Sequence, residues 1–167
     1  MGRDQELRNN RLIFYSQDVA RLDGELDALL ELSNAKVALL IDKEGHMVTR
    51  RGHSAGTGSM DSIAALVAGS FAATRELARQ LGEAQFSTMF HQGARDSIQL
   101  QLVGDRTLLG VLFDERTNLG LVRYYSGETA RQIEAILAEI HTRPAPAGEG
   151  LSDQFRADAA AALDNLF

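Results

Sequence analysis

Four histidines, a set of arginines and scattered carboxylates are the residues with which this chain could do chemistry, and their spacing keeps them apart. His46, His53, His91 and His141 are never three or four residues from one another, the step that sets two metal ligands on one helix face. His46 and His53 flank an expected strand and His91 closes another, so each reads as a surface side chain. The pairs Asp42/Glu44 and Asp114/Glu115 fall in expected turns, where polar residues belong whatever the function. Gly52 to Gly58 is glycine-rich but lacks the lysine of a Gly-x-x-x-x-Gly-Lys-Ser/Thr phosphate loop. Cysteine is absent, which removes a thiolate nucleophile, thiolate metal ligands and a disulfide framework together. What remains is chemistry in trans, because an arginine can stabilise charge on a phosphoryl group held by another protein. Arg75, Arg79, Arg95, Arg116 and Arg123 are available for that, although each is more simply read as a solvated charge or an interface contact. The expectation is a chain with no recognised active site, metal or cofactor of its own.

Composition narrows the partners. The 167 residues are 44% hydrophobic and 24% charged, the balance of one globular domain. A formal net charge of −6 argues against nucleic acid, whose phosphates are held by Lys and Arg. No stretch approaches the roughly 20 apolar residues of a membrane span, and the opening residues carry no apolar run of a signal peptide. A cytoplasmic protein is expected, with proteins or small molecules as its partners.

The elements that would position any site follow from periodicity. Leu12, Tyr15, Val19, Leu22, Leu26 and Leu29 step by three and four, predicting a helix over residues 10–32 with Asp18, Arg21, Asp23 and Glu25 on its wet faces. Residues 36–41 form an apolar run of strand length, and Asp42-Lys43-Glu44-Gly45 turns it back into a strand over 46–51. A helix capped at Gly58 or Ser59 runs to about Leu81 before Gly82 stops it. Residues 86–90, 97–103 and 107–113 read as strands, with Ile98, Leu100 and Leu102 inward and Gln99 and Gln101 outward. A helical segment covers 118–140, with Val122, Thr129, Ile133, Ile136, Leu137 and Ile140 buried and a kink or break expected at Ser126-Gly127. The fold class is therefore α/β (an α+β sandwich), with an antiparallel sheet, helices on both faces and the order α-ββ-α-βββ-α.

The central helix has no wet side. Ser62 to Thr74 holds no charge. Ile63, Leu66, Val67, Leu77 and Leu81 gather on one face, the expected core stripe, and the opposite face carries Ala65, Ala68, Gly69 and Ala72, then Glu76 and Arg79. A solvated helix would put Lys, Glu or Gln there. Small apolar residues instead permit close approach by a partner; a third layer of the same chain, or alanine chosen for helix propensity, would also account for them.

Residues 142–151, with both prolines of the chain, have linker composition, which separates a domain over 10–141 from a tail over 152–167. Residues 1–9 are expected to be a flexible lead. In the tail, Phe155, Ala159, Leu163 and Leu166 share one helical face, as in a helix-in-groove ligand or an extra helix packed on its own domain.

Four stretches then carry a resemblance. They are Asn34-Ala35-Lys36-Val37 leading to Ile41-Asp42-Lys43-Glu44-Gly45, Leu66 to Ser70, Phe90 to Ser97, and Val111 to Arg123. Together with the ending Leu163 to Phe167 they resemble the Roadblock (dynein light chain) family and, within it, the bacterial MglB branch. The resemblance implies a five-stranded sheet and a homodimer in which middle strands join two sheets and central helices lie side by side. Phe86, Thr88, Phe90 and Ala73 would then be interface residues. It implies a platform of Ala65, Ala68, Gly69, Ala72, Glu76 and Arg79 for a Ras-like small GTPase of the MglA kind. It further implies activation of GTP hydrolysis by repositioning the GTPase's own groups, in cell polarity and motility, with a place at a cell pole. The tail residues Phe155, Ala159, Leu163, Leu166 and Phe167 would dock on the GTPase and favour nucleotide exchange. Arg75 and Glu76 depart from the small residues expected late in that helix, and the stretch up to Asn10 has no counterpart. Two other readings compete: a Roadblock scaffold that binds or localises a GTPase without changing turnover, and a small-ligand sensor domain with a polar cavity between sheet and helix.

Overall fold

Two apolar faces are needed to bury a strand such as Val37–Asp42, which is apolar in succession up to Ile41, and the computed structural model supplies both. The structure describes residues 14–53, 59–143 and the tail residues 161, 162 and 164. Its elements are α1 (Ser16–Ser33), β1 (Val37–Asp42), β2 (Met47–Gly52), α2 (Met60–Gln80), β3 (Thr88–Gln92), β4 (Ser97–Val103), β5 (Thr107–Phe113) and α3 (Leu119–Thr142). The strands form one antiparallel sheet in the order β2-β1-β5-β4-β3, so β2 and β3 are its edges. The α-ββ-α-βββ-α order and the sandwich class expected from the sequence are both present.

Alternation along the strands divides the core in two. Ala38, Leu40, Leu109, Val111 and Phe113 face α1 and α3, meeting Leu22, Leu26, Leu29, Ile133 and Ile136. Val37, Leu39, Ile41, Leu100 and Leu108 face α2 alone. The buried stripe predicted for α3 is buried at every position. Asn118 caps α3 by accepting from Leu121 N–H at 3.0 Å, and the helix runs through Ser126-Gly127 without the break that the sequence allowed there, Ser126 being buried.

Two polar residues are buried where the sequence pattern put them outside. Gln99 stands opposite Val111 and faces the α1/α3 layer, since both sides of the sheet are covered, and its Nε2 donates to Leu100 O at 3.4 Å. Asp18 lies in the first turn of α1, 1% exposed, and is clasped by Arg143 from the end of α3. Arg143 is thus the closing residue of the domain rather than the start of a linker.

Two glycines hold backbone that other residues resist. Gly45, at φ +91°, turns β1 into β2, with Asp42 Oδ1 accepting from Glu44 and His46 N–H at 2.9 Å each. Gly52, at φ +92°, ends β2 so close to β1 that a Cβ would stand 2.1 Å from Lys36 O.

The exposed face of the central helix

α2 lies by itself on one side of the sheet, so half its surface has no neighbour from the described chain. Ser59 caps it, its Oγ facing Ser62 N–H at 3.5 Å, and the chain leaves it through Leu81 and Gly82. The orientation departs from the sequence expectation in part: Ile63 and Val67 of the expected stripe pack against the core, but its three leucines do not. Ala64, Ala68 and Phe71 are buried against the sheet, whereas Leu66, Leu77 and Leu81 are 72%, 57% and 75% exposed. The cause is close approach: a Cβ built on Gly45 would meet Ala65 Cα at 3.0 Å and Ala68 Cβ at 3.5 Å. Only small residues fit where the β1–β2 turn presses on the helix backbone.

The candidate platform residues divide accordingly. Ala65, Gly69, Ala72, Glu76 and Arg79 are exposed. Ala68, at 6% exposure, belongs to the core and offers no platform surface. Arg79 grips Glu76 through two hydrogen bonds of 2.9 and 2.7 Å, which holds the Glu76 carboxyl below its ordinary range. Beside this strip runs a second one, Leu66, Ala73 and Leu77 at steps of seven and four, continuing to Leu81; the sequence pattern assigned its leucines to the core. That spacing is a coiled-coil seam, and it was the available signal that these leucines face outward.

The residues implied for homodimer contact are dispersed in the monomer. Ala73 sits on the leucine seam. Phe86 lies before β3, not within it, and stacks on Phe71 with ring centroids 5.2 Å apart. Phe90 lies in β3 and stacks on Phe113 at 6.0 Å. Thr88 opens β3 and is exposed. β3 pairs only with β4 among the described strands, leaving its other side open.

Of the arginines considered for chemistry in trans, Arg79 is committed to Glu76 and Arg116 to Asp114, whose carboxyl it holds low. Arg75, Arg95 and Arg123 are exposed. His46 packs against Asp42 and Glu44 at 3.3 and 3.7 Å within the β1–β2 turn, and His53, His91 and His141 are exposed. Gly52-His53-Ser54-Ala55-Gly56 also spells the Gly-x-Ser-x-Gly of a nucleophile elbow. It follows an antiparallel edge strand instead of a central parallel one, and Ser54 lies outside the described residues. The tail residues Phe155, Ala159, Leu163, Leu166 and Phe167 lie outside them as well.

The Roadblock/LC7 domain model matches residues 22–113, from the middle of α1 to the end of β5. The chain belongs to the Roadblock/LC7 family. Among solved structures, this Roadblock chain is similar to the gliding protein MglB of Thermus thermophilus at 33% identity and a TM-score of 0.72, over 77% of this chain and 96% of that one. It is similar to Myxococcus xanthus MglB at 34% identity and a TM-score of 0.72, over 80% of this chain and 100% of that one. An MglB in a tetrameric arrangement matches at 33% identity and a TM-score of 0.73, over 77% and 96%. No match was found among curated proteins. No helix of the described residues is long and apolar enough to cross a membrane.

Proposed function

We propose that the chain is a homodimeric regulator of a small Ras-like GTPase of the MglA kind, acting in cell polarity and motility. The observation that carries this reading is the uncovered face of α2, where an apolar seam and a small-residue strip run side by side on the lone-helix side of the sheet. Leu66, Ala73 and Leu77 suit the same helix of a second copy, and the open side of β3 suits the same strand. Ala65, Gly69, Ala72, Glu76 and Arg79 then form the platform on which the GTPase rests. The likeness to two MglB proteins, one of them described as a gliding protein, supports this assignment. Stimulation works by repositioning the GTPase's own groups, and residues 152–167 dock on the GTPase to favour nucleotide exchange.

The test is GTP hydrolysis by an MglA-type GTPase with and without the chain, together with Ala72→Arg. Faster hydrolysis that Ala72→Arg abolishes is the expected result; an unchanged rate sinks the activator reading. Binding with unchanged turnover would instead establish the scaffold. Against the sensor reading stands the apolar packing between the sheet and the first half of α2 among the described residues, where Leu39, Ile41, Ala64 and Leu100 are buried together.

A further inference from the structure

A groove of about 620 Å³ opens where the second half of α2 passes the β4–β5 turn. Its apolar lining is Phe71, Phe86, Leu102 and Leu108, and its charged lining is four cations, Lys43, Arg75, Arg79 and Arg106, with three acids, Glu76, Glu83 and Asp105; Glu76 is taken by Arg79 and Asp105 by Arg106. Lys43 and Arg75 are the two without a carboxylate partner among the described residues. Ala72, Glu76 and Arg79, three platform residues, form one wall. A surface that combines unpartnered cations with an apolar floor is complementary to an amphipathic segment bearing acids.

The chain carries such a segment. In residues 152–167 the apolar side chains Phe155, Ala159, Leu163 and Leu166 share one helical face, and Asp153, Asp158 and Asp164 outnumber the one cation, Arg156. Ala161, Ala162 and Asp164 are helical and exposed. The chain also leaves the domain at the right place. A second recess, next to the groove, joins His141 of α3 to Asp105 and Arg106, and those two turn residues also line the groove itself. The stretch 144–151 between Arg143 and the segment reaches about 26–29 Å when extended, enough to cross the β4–β5 turn.

We propose that residues 152–167 seat in this groove of their own chain when no partner is bound, Phe155 and Leu163 on the Phe71–Phe86 floor and the aspartates toward Arg75 and Lys43. Because the seat shares Ala72, Glu76 and Arg79 with the platform, a GTPase must displace the tail to bind. This second half rests on the proposed function; the seat itself does not.

The chain has no cysteine, so Ala161→Cys, off both the apolar face and the aspartates, gives a single attachment point for a nitroxide on the full-length protein, and the readout is paramagnetic broadening of amide signals without any GTPase. The expected result is loss of most signal at Ala72, Arg75, Phe86 and Arg106. Broadening confined to α1 and α3, or none in residues 14–143, overturns the seat. Arg75→Glu should restore the groove signals with an unchanged melting temperature, and undiminished broadening in that variant counts against the charge pairing that places the tail. Mixing labelled chain with unlabelled chain whose amides are observed should leave the latter sharp; broadening transferred to it replaces the cis seat with a trans one. Once the seat is established, deleting residues 152–167 should quicken GTPase association, and an unchanged rate removes the competition while leaving the seat.

Discussion

Arg143 closes the domain over Asp18 with two hydrogen bonds, 3.0 and 2.8 Å long, joining residues 125 positions apart. The carboxylate is also taken by Tyr15 N–H at 3.0 Å, and the guanidinium lies 5.4 Å from the Tyr15 ring. One buried anion thus ties the start of α1 to the end of α3, and Arg21 with Glu139 at 2.7 Å repeats the link one turn on, in solvent. The exposed pair contributes little. The buried one matters because either partner left alone is a charge without compensation.

The first prediction concerns pH. Arg143, then the Tyr15 amide, holds the Asp18 carboxyl below its ordinary range. A carboxylate depressed in the folded state stabilises fully above its unfolded value near 4, and that contribution fades as pH falls through the folded value. Asp18→Asn should therefore melt below the parent protein at neutral pH, with the gap narrowing below about pH 4. A gap that is constant with pH means the ion pair adds nothing. Asp18→Asn combined with Arg143→Ala should cost less than the two single losses together.

The second prediction separates the faces of α2. Ala68 touches the sheet beneath the Gly45 turn, so Ala68→Leu should destabilise by about 1–3 kcal/mol through overpacking. Leu66→Ala removes an exposed side chain and should leave monomer stability within about 0.5 kcal/mol. Denaturant melts at a concentration too low for association decide it; the opposite ranking would restore the orientation expected from the sequence.

The outward leucines of α2 show what periodicity can and cannot say. β1, β5 and α3 were legible because most of their apolar residues are buried, on one stripe or both faces, Leu121 and Tyr124 of α3 being the large exceptions. α2 carries apolar residues all round, so periodicity reveals two dry faces without saying which the chain itself covers. Size pointed the wrong way, since leucine is the usual core residue, and only the approach of the β1–β2 turn demands alanine there. Asp18 and Gln99 were misplaced for a related reason: burial of a polar group depends on a partner or layer remote in sequence. Of the candidate platform residues, five are exposed and Ala68 is buried, and the leucine seam beside them was missed.

A third prediction tests the end of β2. Gly52 has positive φ and no room for a Cβ against Lys36 O. Gly52→Ala should cost about 1–3 kcal/mol from backbone strain alone, read as a lower midpoint in denaturant with an unchanged slope. A loss well under that range would mean the β1 end yields to make room.

The fourth prediction bears on assembly. Leu66, Ala73 and Leu77 form an apolar seam that water wets in the monomer, and pairing it with a second copy is the favourable way to dry it. The β3 edge offers a separate, backbone-driven contact. If both operate, Leu77→Glu sets two carboxylates against each other across the helix pair while leaving each sheet untouched. The variant should sediment as a monomer at micromolar concentration with an essentially unchanged monomer fold by circular dichroism. If it remains dimeric, the edge strands alone hold the assembly and the seam faces the GTPase instead. In that case Leu77→Glu should abolish GTPase binding with the dimer intact, so the two assignments of the seam give opposite results in sedimentation and in binding.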